Sequence, residues 1–165
     1  PWDLIDVVSK NGRLLLNFGP KPDDTLADKD MEILRAMGDW MKVNDEAIHG
    51  TGLWLLAQEG PTVIEEGGFS DGKPRVFTSE DFRFTCRGDQ VYAIAMTCPE
   101  DGVLKIHSLR ADGEDHKAPC HSLVRKVEVL GLERPVKWTR HTEALTVDLG
   151  DYRTDLPLTV RFTVV

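Results

Sequence analysis

Residues 82–97 read FRFTCRGDQVYAIAMT and contain two apolar runs, Phe82–Cys86 and Val91–Thr97, separated by the turn residues Arg87–Gln90. Aromatic and β-branched residues on both sides of a short glycine-containing turn are typical of an antiparallel hairpin. Similar runs recur along the chain at intervals of about ten residues, without a helical period. They lie at 75–78, 103–107, 124–130, 136–139, 144–149 and 158–165. This pattern predicts an antiparallel β-sandwich over residues 73–165.

The first 52 residues follow a different pattern. Apolar residues at helical spacing between positions 4 and 8 precede Asn11 and Gly12, which tolerate the left-handed conformation at a helix C-terminus. Residues 13–18 (RLLLNF) are nearly all apolar, as in a strand buried on both faces of a parallel sheet. A second helix is predicted from Thr25 to Asn44, and Thr25 with Asp28 resembles a capping pair.

A single helix–strand–helix passage cannot bury both faces of its strand. Its neighbours must come from chain outside this sequence or from the region downstream. We expect the apolar face of the second helix to be exposed if those neighbours are absent; it comprises Ile33, Leu34, Met37, Trp40 and Met41. The fold class is therefore α+β, with an incomplete unit at residues 1–52, a junction at 53–72 and the sandwich at 73–165.

Composition excludes several classes of function. The net charge is -8 and the basic residues are scattered among acidic ones, so no basic face is available for nucleic acid. No apolar stretch approaches the roughly 20 residues of a membrane span. The start at Pro1 lacks an initiator methionine and the features of a signal peptide, so we expect the chain to begin within a longer protein. Cys86, Cys98 and Cys120 are odd in number, and at least one is unpaired within the chain.

Several stretches, in the right order, resemble one enzyme family. The first is VVSKNGRLLLNFGP at residues 7–20, followed by PDDT at 22–25 and WMKVNDEAIHGT at 40–51. Similar pieces continue at 59–62, 77–85 and 91–94. Together they are similar to the family 29 glycoside hydrolases, the α-L-fucosidases, most closely over residues 5–95.

The resemblance implies a (β/α)8-type barrel that carries the active site, followed by a β-sandwich. Residues 1–52 would supply the last helix–strand–helix of that barrel. Such enzymes retain anomeric configuration with an aspartate nucleophile and a separate acid/base carboxyl group, and need no metal or organic cofactor. Both carboxyl groups are expected upstream of Pro1, so we assign no catalytic residue here. The segment alone is expected to be inactive.

The partners implied by the family are fucosylated glycans, bound through the parent enzyme, and the missing N-terminal barrel region. The family also implies a secreted, periplasmic or lysosomal location. Catalytic groups of such barrels sit at the C-terminal ends of the strands. Asn17, Gly19 and Pro20 would lie at that end, where Asn17 either supports the substrate pocket or fixes the backbone of its own loop.

Trp54 and Trp138 are candidates for stacking on a sugar ring. The alternative is burial in the sandwich core or against the barrel. If they are exposed, a non-catalytic carbohydrate-binding or interaction β-sandwich module becomes the alternative function.

One cluster has side chains suited to a metal, namely His116, Cys120 and His121. Its spacing matches no standard zinc motif and a fourth ligand is not evident, so no metal site is predicted. Cys86 and Cys98 are expected to be buried thiols, although pairing across a hairpin stays open.

Overall fold

The computed structural model describes residues 1–62, 76–114 and 116–165. Within these ranges the helices are α1 (Trp2–Ser9) and α2 (Asp28–Asn44), with short 3₁₀ turns at Asp45–Ala47 and His107–Leu109. The strands are β1 (Gln58–Glu59), β2 (Phe82–Arg87), β3 (Gln90–Ala95), β4 (Val103–Ile106), β5 (Val124–Val129), β6 (Lys137–Arg140), β7 (Leu145–Asp148) and β8 (Leu158–Val164).

The strands form two antiparallel sheets. One has the order β1-β2-β3-β8-β5 and the other the order β4-β7-β6. The predicted hairpin is formed, because β2 pairs with β3 from Phe82↔Ala95 to Arg87↔Gln90. Seven of the eight predicted strands occur within one or two residues of their expected bounds. The mixed helical and antiparallel-sandwich architecture is thus confirmed.

The predicted and observed strands differ at two places. Residues 76–78 form no strand, and Arg75 lies outside the described residues. The two-residue strand β1 was missed because Gln58 and Glu59 are polar and too few to produce an alternating pattern.

The sandwich core lies between the two sheets. Alternate residues of β3, namely Val91, Ala93 and Ala95, point into it and are almost fully buried. Large side chains from both sheets complete this core, including Phe82, Phe84, Leu104, Leu145, Val147 and Phe162. The tight alternation explains why sequence periodicity could predict this half of the molecule.

The outer face of the five-stranded sheet is covered by the N-terminal helices. Tyr92 and Ile94, the intervening residues of β3, pack there against Ile5, Trp40 and Ile48. Burial on both faces accounts for the continuous apolar run in β3. The N-terminal segment and the sandwich therefore share a hydrophobic interface.

Hydrogen bonds fix the helices to the sheet. Trp2 Nε1 donates to the carbonyl oxygen of Met96 at 3.0 Å, and Trp40 Nε1 donates to that of Pro157 at 2.7 Å. Thr85 Oγ1 donates to the carbonyl oxygen of Ala47 at 2.7 Å. Each bond satisfies a polar group that burial would otherwise leave without a partner.

Helix α1 ends as the sequence predicts. Asn11 adopts a left-handed φ of 61°, and Gly12 N and Asn11 N donate to the carbonyl oxygens of Val7 and Val8 at 2.8 and 2.9 Å. These two bonds form a Schellman motif, which supplies donors to carbonyls at the helix end.

The strand expected at residues 13–18 is not formed. This segment is irregular, and Leu15 and Leu16 are 92% and 46% exposed. A parallel-sheet strand needs hydrogen-bonding neighbours, and the described parts of the chain provide none for these residues. In this chain by itself, the predicted helix–strand–helix is therefore two helices joined by an irregular connection.

Helix α2 begins at Asp28 rather than Thr25. The predicted capping pair does not form, because Thr25 instead bonds to Asp23 through both its backbone N and its Oγ1, at 3.1 and 2.6 Å. Of the predicted apolar face, Trp40 is buried, Ile33 is 45% exposed, and Leu34, Met37 and Met41 are half-buried. In the described part of the chain, no helix has the length and apolar character needed to cross a membrane.

Candidate functional site

The residues predicted to support a substrate pocket lie on the irregular connection between α1 and α2. Asn17, Gly19 and Pro20 are all exposed. The Asn17 amide makes no hydrogen bond to the described part of the chain. Their position leaves them accessible, and no other candidate site residue among the described residues lies beside them.

A buried ion pair joins α1 to the sandwich. Arg83 is fully buried on β2, and its Nε donates to Asp6 Oδ1 at 2.6 Å. Lys10 Nζ donates to the other carboxylate oxygen at 3.1 Å, and Phe77 lies 5.7 Å from the guanidinium. Asp6 is thus engaged by two cations, an arrangement suited to holding α1 in place rather than to proton transfer.

A second charge network lies on the outer face of the sheet. Arg161 on β8 donates to Glu46 Oε1 at 2.8 Å and to Glu128 Oε2 at 2.9 Å, and Lys126 lies 2.9 Å from Glu128 Oε1. The hydrogen bond from Lys126, reinforced by Arg161, lowers the pKa of Glu128 against the opposing effect of partial burial. An acid that protonates a leaving group needs a raised pKa instead.

Asp81 accepts four hydrogen bonds just before β2. Its donors are the backbone N and Oγ1 of Thr62 and of Thr78, at 2.7 to 2.9 Å. Burial tends to raise the pKa of Asp81, but these hydrogen bonds outweigh it and the net pKa is lowered. The ionised carboxylate therefore pins together two backbone segments at this end of the sandwich.

The structure separates His116, Cys120 and His121, the residues whose side chains could suit a metal but for which no metal site is predicted. His116 and His121 each place Nδ1 near Asp112 Oδ2, at 3.0 and 3.1 Å, whereas Cys120 is buried against the sandwich core. The hydrogen bond from His116, with those from Ala118 and His121, lowers the pKa of Asp112. Among the described residues, no group of three or more His, Cys, Asp or Glu side chains is arranged to hold a metal ion.

The two tryptophans proposed for sugar stacking lie at different places. Both are half-buried and pack against the sandwich core. Trp54 lies on Phe84, with ring centroids 4.8 Å apart, and lines a pocket of ≈ 410 Å³. Trp138 on β6 lines a groove of ≈ 600 Å³ beside β5, the larger of the two spaces.

Family models match the two parts of the chain. The model for α-L-fucosidase matches residues 2–46, and the model for the α-L-fucosidase C-terminal domain matches residues 77–164. The second match alone covers more than half of the chain.

The chain belongs to the α-L-fucosidase family.

Curated α-L-fucosidases agree with this assignment. The human tissue enzyme is 29% identical over 137 residues, which are 83% of this chain and 24% of that protein. The rat plasma enzyme is 33% identical over 139 residues, or 82% of this chain and 24% of that protein. The chain thus spans about a quarter of the length of these relatives.

Solved α-L-fucosidases share the fold. The crystal structure of Thermotoga maritima α-fucosidase in complex with a mechanism-based inhibitor has a TM-score of 0.70 and 23% identity, covering 98% of this chain and 33% of that one. Isoenzyme 1 from Paenibacillus thiaminolyticus has a TM-score of 0.68 and 21% identity, covering 99% and 33%. At these identities the likeness concerns the fold alone.

Sequence reasoning missed the polar contacts that join the family's two segments. Asp6 and Arg83 are 77 residues apart, and no local pattern pairs them. Asp81 was detectable in principle, because Thr78 and Asp81 flank a turn immediately before an apolar strand, which is a common setting for side-chain-to-backbone bonds.

Proposed function

We propose that this chain is the C-terminal part of a retaining α-L-fucosidase that hydrolyses terminal α-L-fucosides of glycans. In this proposal residues 1–52 close the catalytic barrel, residues 53–72 form a junction and residues 73–165 form an accessory sandwich. The segment supports the chemistry without performing it, and the nucleophile and acid/base lie in the upstream region.

The observation that carries the proposal is the apolar segment 13–18. It lies within the stretch matched by the α-L-fucosidase model, yet it is unpaired and Leu15 is 92% exposed. Exposing such a run to water is unfavourable, at about 25 cal/mol per Å² of apolar surface. Neighbouring barrel strands would bury it, and Asn17, Gly19 and Pro20 would then stand at the catalytic edge.

The charge networks also favour a supporting role. Retention requires a nucleophilic carboxylate and a protonated acid roughly 5 Å apart across the sugar. Asp6, Glu46 and Glu128 are instead each engaged in an ion pair with an arginine. The pKa of Glu128 is lowered, which makes this group unsuited to donating a proton at neutral pH.

Hydrolysis of a chromogenic α-L-fucoside tests the proposal. The 165-residue chain, with its mass verified, should show no turnover above buffer. A longer protein that includes the upstream region should hydrolyse the substrate and follow saturation kinetics. Turnover by the pure 165-residue chain, or its absence from the longer protein, would contradict the proposal.

A carbohydrate-binding role of the sandwich is the second candidate function. The half-buried Trp138 beside an open groove favours it. This role is compatible with the first, because accessory domains can hold a glycan near a catalytic site.

A further inference from the structure

The sandwich is open along one side, where its two sheets end. Strand β5 is one of the two edge strands of the five-stranded sheet, and β6 is one of the two edge strands of the three-stranded sheet. The connection 130–136 bridges them, and a groove of ≈ 600 Å³ lies between the two strands and this connection. We call it the β5–β6 groove. Its volume falls within the range of about 300 to 1,000 Å³ that is usual for ligand sites.

Trp138 supplies an aromatic surface in the β5–β6 groove. It packs against the sandwich core and also lines the groove. The indole N–H groups of Trp2 and Trp40 donate to backbone carbonyls, whereas those of Trp138 and of Trp54, which lies outside the groove, have no acceptor in the described part of the chain. A partly buried indole usually finds a hydrogen-bond partner. The Trp138 donor is therefore available to a ligand.

Polar groups beside Trp138 are also available. Glu133 is exposed and forms no ion pair within the described residues. Arg134 is anchored through Nη2 to the carbonyl oxygen of Leu149 at 2.7 Å and to Asp151 at 3.2 Å. Its Nε and Nη1 make no hydrogen bond to the described chain. The groove thus offers an acceptor and an anchored donor next to an aromatic ring.

Three further charged residues that line the groove bear on the charge of the ligand. They are Lys126, Glu128 and Arg161, and they already neutralise one another in the network that includes Glu46. Cations and carboxylates are mixed along the whole groove, so no strong field selects an anion or a cation. An aromatic ring beside polar groups whose charges balance suits an uncharged ligand with many hydroxyl groups.

We propose that the β5–β6 groove binds a neutral sugar residue of a glycan. The sugar ring stacks on Trp138, Glu133 accepts hydrogen bonds from its hydroxyls, and Arg134 and Trp138 Nε1 donate to its oxygens. The choice of a glycan rests on the proposed function. Binding here would raise the effective concentration of glycan near the catalytic region, even if the groove alone binds weakly.

Nuclear magnetic resonance of the four tryptophan indole N–H groups tests this site in the full chain. The probe is 2′-fucosyllactose, with lactose as the comparison that lacks fucose. We expect the Trp138 indole signal, assigned with W138F, to shift saturably with at least one of these sugars. The signals of Trp2, Trp40 and Trp54 should stay in place. No saturable Trp138 shift with either sugar would overturn the proposal.

Variants separate stacking from simple proximity. Because W138A and W138F lack the Trp138 indole, binding is measured through the backbone amide signals of the groove. W138A should abolish saturable binding, whereas W138F should retain most of it. E133Q should weaken binding by about 3- to 10-fold. The matched control W54F removes another half-buried indole outside the groove and should bind normally. Unchanged binding by a folded W138A, or lost binding by W54F, would contradict the assignment.

Two further outcomes keep the hypotheses separate. Groove signals that shift with protein concentration alone would show that a second copy pairs with the edge of β5 instead, which overturns the glycan site. Sugar binding without fucoside hydrolysis by the longer protein would contradict only the proposed function. Hydrolysis without any binding at the groove would contradict only the site.

Discussion

Asp81 illustrates how a single residue stabilises the sandwich. Its carboxylate is buried and accepts hydrogen bonds from Thr62, which lies within the junction, and from Thr78, which lies after it. Because these donors favour the ionised form, the pKa of Asp81 lies below its usual value of 3.8. Its contribution to stability is therefore fully present above the unfolded-state pKa and lost as the pH falls through the lower folded-state pKa.

D81N should lower the free energy of unfolding by roughly 2 to 4 kcal/mol at neutral pH, because an amide group faces donors that need an acceptor. The difference from the wild type should begin to shrink below about pH 4, where the unfolded chain starts to protonate Asp81, and should vanish only when the pH falls below the lower folded-state pKa. Urea denaturation at a series of pH values measures both effects. The control E80Q changes an adjacent exposed carboxylate and should leave the midpoint unchanged. A pH-independent difference would contradict this account.

The buried ion pair between Arg83 and Asp6 also stabilises the chain through single residues. Removing one member of a buried ion pair leaves the other charge without compensation, at a cost of about 3 to 5 kcal/mol. D6L leaves the buried Arg83 without this partner and should destabilise the chain by about this amount. R83M should cost less, because Lys10 still pairs with Asp6, and the double variant should lose less than the sum. A double-mutant cycle by thermal or urea unfolding measures this coupling. K42A, which breaks the exposed Lys42–Asp39 contact, is the control and should have little effect. Additive losses from D6L and R83M would contradict the pairing.

At the scale of elements, Arg140 connects β6 to the connection between β4 and β5. Its guanidinium donates to the carbonyl oxygens of Leu109, Arg110, Cys120 and Ser122, at 2.7 to 3.1 Å. One planar group thereby satisfies acceptors from both ends of that connection. An ammonium group cannot reproduce this fork-like geometry.

R140K should therefore destabilise the chain by about 1 to 3 kcal/mol, and R140M by at least as much. Limited proteolysis should cut between residues 110 and 122 faster in both variants, at protease concentrations that leave the wild type intact. R125M, which alters an exposed arginine on the neighbouring β5, provides the control. Equal cleavage rates in R140M and the wild type would exclude this role for Arg140.

The same scale shows what the sequence could predict. The strands of the sandwich alternate between two environments, or are buried on both faces like β3, and both patterns are visible in the sequence. Asn11 likewise marks the end of α1 through its left-handed φ. The polar contacts at Asp6, Arg83 and Arg140 could not be predicted, because they depend on how distant elements meet. For the groove, the sequence indicated Trp138 but not the edge strands and charges around it.

At the scale of the whole molecule, the N-terminal helices and the sandwich share one hydrophobic interface, while residues 13–18 lie outside it. The sequence of this segment favours a buried strand, and its conformation here is exposed and irregular. Local pattern and observed structure disagree because a parallel strand takes its stability from neighbours that the described chain lacks. We infer that those neighbours belong to the catalytic barrel.

Hydrogen–deuterium exchange of residues 13–18 tests this central claim most directly. In the 165-residue chain, amides of this segment should exchange within seconds, while those of β3 and β8 stay protected because both strands are paired on each side. In a longer protein that contains the upstream region, residues 13–18 should become as protected as β3. Strong protection of residues 13–18 in the 165-residue chain, or continued rapid exchange in the longer protein, would contradict their assignment as a strand of the barrel.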